Sequence, residues 1–295
     1  MKYGVNACVR ASEDSPDELW TESLLEDVDT AMLSKYFFND RITQSLSSLF
    51  QMSNYPLAGK LILITGAARR IGRIFALACA HQGADLIIHH GHSEEEAKQL
   101  QLEITKMGRQ AQIIRADLSE PEVAAQLISQ ANRFGTLYAL VNSAAIFEPL
   151  SLKETTLTDW ERHLKINLTA PFLLSQAFAK QVPGDSSGHI VNILGWRALR
   201  PGADHFPYMV SKAALAAMTK SLAATLAPKI TVNGLALGAI LPPADQPVST
   251  EILNHIPAGR WAEASEIEKA LIFLLTGATY ITGEIIHVDG GRHLI

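Results

Sequence analysis

From residue 60 onward the chain is punctuated by seven short apolar runs. They are "LILIT" (61–65), "DLIIHH" (85–90), "AQIIRA" (111–116), "YALVN" (138–142), "HIVNIL" (189–194), "ITVNGLAL" (230–237) and "EIIHVD" (284–289). Each is rich in Ile, Val and Leu, and most lack a polar face, which predicts strands buried on both sides. Stretches with helical spacing lie between them, such as 94–107 and 209–227. Strands alternating with helices predict an α/β fold: a seven-stranded parallel sheet with helices on both faces, wound as one Rossmann-type domain over residues 57–295. Ligands of such a sheet sit outside the carboxyl ends of the strands.

Residues 1–56 have another texture. They are polar, with amphipathic patches. "SPDE" at 15–18 reads as a capping box, with Ser15 as cap, Pro16 in the first turn and Glu18 reaching back. Trp20, Leu24, Val28 and Ala31 follow at helical spacing, and Ile42, Leu46, Leu49 and Phe50 make a second patch. These predict a helical N-terminal extension. Its stripes would bury against the main domain or a neighbouring subunit, or form a partner-binding arm.

Composition narrows the function classes. The 295 residues carry a formal net charge of −5, with 47% hydrophobic and 19% charged positions. Mild acidity argues against a nucleic-acid surface, and no apolar run is long enough to span a membrane. The N-terminus has no apolar core of a secretory signal, and residues 13–29 hold eight carboxylates without Lys or Arg, which argues against a transit peptide. Two cysteines, Cys8 and Cys79, are too few for a disulfide framework. A cytoplasmic protein is expected, with Cys79 as a small core residue.

The chemistry begins at "LILITGAARRIGRIFALA", a strand, a glycine turn and a helix. Gly66 permits the tight turn and Gly72 lets the helix approach the sheet, so the helix N-terminus faces a pyrophosphate. Arg69 and Arg70 fall within the turn, where phosphate charge would lie. After the second strand, "HHGHSEEE" offers His89, His90, Gly91, His92 and Ser93 but no carboxylate at the strand end to bind a ribose hydroxyl. His92 and Ser93 can donate to a 2′-phosphate, which favours NADPH over NADH. Glu94–Glu96 suit the first turn of the following helix. The histidine spacing is strand-like, and no metal site is expected.

Tyr208 and Lys212 are four apart and share a helix face. A nearby ammonium, together with a positive nicotinamide, is expected to lower the tyrosine's pKa and make it a usable proton donor. Such a pair occurs in many helices and proves little by itself. Asn167, in "LKINLTAPFLL", could hold a helix or a water against the lysine, or simply cap.

"TGAARRIG", "ADLS", "LVNSAA", "INLTAPF", "YMVSK", "VNGLALG" and "ITGEIIHVDGG" occur in the order and spacing of the short-chain dehydrogenase/reductases, which residues 58–295 therefore resemble. The resemblance implies hydride transfer from NAD(P)H, with Tyr208 as proton donor, Lys212 on the nicotinamide ribose and Asn167 completing a proton relay. Gly66, Arg69, Arg70, Ile71, Gly72, His92, Ser93, Asp117 (against the adenine), Asn142 and Ala144 would surround the cofactor. "TGAARRIGR" and "HHGHS" are similar to the pteridine reductase and dihydromonapterin/dihydrofolate reductase branch, as is "NSAAIFEPL". That branch implies a pterin bound by Arg70, Phe147 and Tyr208. It also implies a homo-oligomer, a tetramer or dimer.

One family feature is missing. Thirteen residues before the tyrosine the pattern has Ser, or Asp in the pterin reducers; this chain has Gly195, and 193–199 contain no Ser, Thr, Asp or Glu. Losing a donor to a developing oxyanion typically costs about 10²–10³ in rate. Reduction of a C=N bond develops no oxyanion, so a pterin tolerates Gly195 better than a ketone does. Three readings follow: a pterin reductase, a reductase of another carbonyl or imine, and a weakly catalytic NADP(H)-binding module with a partner-binding arm. Asp204 and His205, in the loop before Tyr208, could reach into the site and Arg197 could bind a substrate oxygen, but all three are expected to be ordinary loop residues, and 238–261 to cover the substrate.

Overall fold

The computed structural model describes residues 55–184, 186–242 and 251–295. The N-terminal extension expected over residues 1–56 lies outside them but for Tyr55 and Pro56, and so does part of the expected substrate loop.

Seven parallel strands form one sheet: β1 (Leu61–Ile64), β2 (Asp85–His90), β3 (Ala111–Arg115), β4 (Leu137–Asn142), β5 (Gly188–Gly195), β6 (Ile230–Leu237) and β7 (Ile285–Val288). Their order is β3-β2-β1-β4-β5-β6-β7. The order reverses between β1 and β4, and at that switch point two neighbouring connections leave on opposite faces and open a crevice. Every strand falls within a residue or two of its apolar run. β5 and β6 are buried along their whole lengths, as strands covered on both faces must be.

Helices α1 (Arg70–His81), α2 (Glu94–Lys106) and α7 (Ala264–Thr276) cover one face, where Phe75, Leu100 and Leu271 join Ile64 and Val141 in a core. Helices α3 (Pro121–Ala131) and α5 (Ala170–Gln181) cover the other, where Leu127, Leu174 and Phe178 pack on Leu63 and Leu140. Cys79 is fully buried in the first core. Helix α4 (Leu157–Leu164) opens with a capping box between Thr156 and Asp159 and runs into a π turn, Lys165–Thr169. Helix α6 (Phe206–Leu226) brings Tyr208 and Lys212 beneath the end of β5.

Candidate active site

The glycine turn is fixed by close contacts. Gly66 has φ +64°, and a Cβ there would lie 2.9 Å from the Ala144 backbone; one on Gly72 would lie 2.1 Å from the Gly66 carbonyl oxygen. Neither position can carry a side chain as the backbone stands. Thr65 ties the turn to the end of β4, its Oγ1 accepting from the N–H groups of Ser143 and Ala144, each at 3.0 Å. His89 ties it to the end of β3. Its Nδ1 accepts from the Gly66 N–H at 3.1 Å, so its Nε2 carries the proton that reaches the Ala116 carbonyl at 3.0 Å. Burial pulls the His89 pKa down to about 4, in keeping with a neutral ring. Sequence reasoning assigned His89 no role; its only signal was a histidine directly after the apolar run Leu86–Ile88.

Around this turn lies a cleft of about 590 Å³ lined by Gly66, Arg69, Arg70, Ile71, Gly72, His92, Ser93, Asp117 and Ala144, all expected there. Arg69 makes a loose ion pair with Glu96 at 3.7 Å. Arg70 occupies left-handed backbone, φ +49°, a conformation costly for a residue with a Cβ. Its guanidinium donates to the Pro242 carbonyl at 3.1 Å across the crevice. Asn142 stays within the sheet, donating to Asn192 Oδ1 at 2.8 Å.

Arg70 and Ile71 also line a second cavity of about 430 Å³, shared with Phe147, Gly195, Trp196, Arg197, Asp204, His205, Tyr208, Lys212, Trp261 and Arg292. Lys212 is buried, and its Nζ donates to the Ile193 carbonyl at 2.7 Å. Burial lowers its pKa to about 8 and raises that of Tyr208 to about 12. The lysine by itself does not lower the tyrosine pKa: Nζ stands 5.9 Å from the ring centroid, and loss of water outweighs that distant charge.

Asn167 sits in the π turn, fully buried. Its Nδ2 donates to the Ile146 carbonyl and Ser211 Oγ, and its Oδ1 accepts from the Ile146 N–H. It fastens the strand β4 loop to α6 one residue from Lys212. Phe147 is 62% exposed rather than core. Its ring meets Tyr208 edge-on at 4.7 Å and is covered on one face by His205, stacked at 4.0 Å and 11°.

Gly195 has a steric reason. A Cβ there would lie 2.9 Å from Tyr208 Oη, so the bare glycine lets the phenol approach β5. Arg197, Asp204 and His205 are not ordinary loop residues: all three line the cavity, as the alternative reading had it. Arg197 is ion-paired with Asp204, which also accepts from His205 Nδ1 at 3.2 Å. His205, with φ +53°, is held in left-handed backbone at the start of α6. Trp196, next to Gly195, was given no role, and Arg292 was missed because only folding brings it to this loop.

A family model described as enoyl-(acyl carrier protein) reductase matches residues 66–293. The chain belongs to the short-chain dehydrogenase/reductase family. Among these enzymes, the 3-oxoacyl-[acyl-carrier-protein] reductase of Aquifex aeolicus is 37% identical over 243 residues, covering 80% of this chain and 98% of the relative. Its Synechocystis counterpart is 32% identical over 240 residues, covering 80% and 97%. Among solved structures, the FolM alternative dihydrofolate reductase 1 from Brucella canis, complexed with NADP, superposes with a TM-score of 0.75 at 33% identity, covering 81% of this chain and 96% of that one. The family match thus covers residues 66–293.

Proposed function

We propose that this short-chain reductase transfers hydride from NADPH to a pterin of the dihydropterin or dihydrofolate kind. The observation that carries the reading is the meeting of Arg70, Phe147 and Tyr208 on one cavity in which position 195 offers no oxyanion donor. The likeness to a dihydrofolate reductase bound to NADP supports it.

The cradle fits the dinucleotide. Gly66 and Gly72 leave no room for side chains, so backbone N–H groups at the start of α1 meet the pyrophosphate with Arg69, Arg70 and Ile71. His92 and Ser93 take the 2′-phosphate, Asp117 the adenine end, and Asn142 and Ala144 back the site beside β4. The bound cofactor supplies the hydride. Tyr208 supplies the proton to the reduced C=N bond from its protonated phenol, Lys212 holds the nicotinamide ribose and returns positive charge to the tyrosine's surroundings, and Asn167 fixes their spacing and completes the proton route. Phe147 and His205 present a ready-made aromatic stack to a flat ring.

The second reading, reduction of another carbonyl, draws on the 3-oxoacyl reductases among the relatives. Against it stands Gly195, since a ketone oxygen would gain charge with no donor there. NADPH oxidation with dihydrobiopterin and dihydrofolate is expected, with much slower turnover of 3-oxoacyl substrates; the reverse preference overturns the pterin reading. Tight NADPH binding with no turnover, and a co-purifying protein lost on removing residues 1–56, would favour the binding-module reading.

A further inference from the structure

The turn Trp196–Ala198 after β5 and the turn Arg292–Leu294 near the chain's end pack together at the mouth of the cavity. Two guanidiniums lie over the Trp196 ring: the Arg197 carbon is 4.9 Å and the Arg292 carbon 4.6 Å from its centroid. Arg200 joins them, donating to the Arg292 carbonyl at 3.4 Å.

The three arginines are not equivalent. Arg197 is neutralised by Asp204. Arg292 has no ion pair among the described residues, and its buried Nε has no hydrogen-bond partner. The nearby carboxylate is committed elsewhere: Asp289 accepts from the Gly291 and His293 N–H groups and pairs with the His293 ring at 2.9 Å. Arg292 therefore brings a guanidinium without an ion pair, eased only through space by Asp289, into the same cavity as Tyr208, held over an indole ring. A half-buried guanidinium without a partner is costly unless a ligand completes it.

We propose that Arg292, held on Trp196, is a subsite for a carboxylate on the tail of the substrate. This rests on the pterin reading of the site and narrows it: the favoured pterin bears an acidic side chain. Its ring lies at Phe147 and Tyr208 while its tail runs outward past Gly195 to the arginine. The planar donor fork suits a carboxylate better than a hydroxyl, and the indole limits the rotamers the fork must give up on binding.

The test compares dihydrofolate, which has a carboxylated tail, with dihydrobiopterin, whose tail is neutral, in the NADPH-dependent assay of the full chain. In Arg292→Gln the KM for dihydrofolate should rise about 10-fold or more with kcat unchanged, the loss expected of a charge-assisted hydrogen bond. Dihydrobiopterin kinetics should stay as in the wild type, and Arg292→Lys should recover part of the loss. In the wild type, added salt should raise the KM for dihydrofolate alone, a readout that holds even if the variants fold poorly. Equal losses for both pterins, no loss for either, or the same salt response for both overturns the subsite and leaves the pterin reading standing. Turnover of neither pterin overturns both.

Discussion

At position 195 there is no side chain, and the Tyr208 hydroxyl lies 2.9 Å from where a Cβ would stand. Restoring a donor is therefore not a simple repair. Gly195→Ala must displace the phenol, and kcat should fall about 10-fold or more with any substrate, since misplacing a reacting group by an ångström costs up to about 10²-fold. Retention of full activity in this variant would show that Tyr208 has no need of its present position. Lys212 supplies a pH dependence. Burial holds its pKa near 8 against the ordinary 10.5, so it loses its charge as pH rises through 8. NADPH affinity should weaken over that limb in titrations from pH 7 to 9.5, and Lys212→Met should be weak throughout and lack the limb. Folding stability responds in the opposite sense. Between 8 and 10.5 the unfolded chain holds more protons at this site, so its contribution to stability rises with pH.

Among the elements, the joint between β1, β2 and β3 depends on one imidazole. His89 accepts from the Gly66 N–H on one side and donates to the Ala116 carbonyl on the other, both within the dinucleotide cleft. Phenylalanine fills the same space but leaves both backbone groups unpaired, at about 1–3 kcal/mol for each buried group. His89→Phe should lower the unfolding free energy by an amount of that order and weaken NADPH binding more than it changes kcat. Unchanged affinity in an otherwise folded variant would remove His89 from the cofactor cradle. The π turn at Lys165–Thr169 is a second joint. Its extra residue keeps the backbone bonded in the wider ladder, with the Ala170 N–H donating to the Lys165 carbonyl, while the Asn167 side chain bonds Ile146 and Ser211.

For the molecule as a whole, two buried histidines set the acid limit. His89 and His189 both have pKa values drawn down to about 4 by burial, from an ordinary 6.5. The unfolded chain takes up protons near 6.5 that the native chain refuses until about 4, so stability present above 6.5 drains away as pH falls between the two. The melting temperature should drop steadily from pH 7 to 4.5, and His189→Gln should flatten part of the slope; a flat wild-type profile would mean these rings protonate without unfolding.

The seven apolar runs determined the sheet, its parallel sense and the strand ends at which ligands bind, because a strand buried on both faces must be apolar without alternation wherever it sits. Gly66, Gly72, Tyr208 and Lys212 were legible for a similar reason: a tight turn and an i,i+4 pair are local geometry. The absence of a donor at Gly195 was legible too, but its contact with the Tyr208 hydroxyl was not. Tertiary structure alone decided the exposure of Phe147, the entry of Arg197, Asp204 and His205 into the cavity, the clamp made by His89 and the arrival of Arg292 at Trp196. These depend on distances between residues up to about a hundred positions apart, and on how much water each keeps. Both are fixed only once the sheet has ordered its strands and the helices have closed over it.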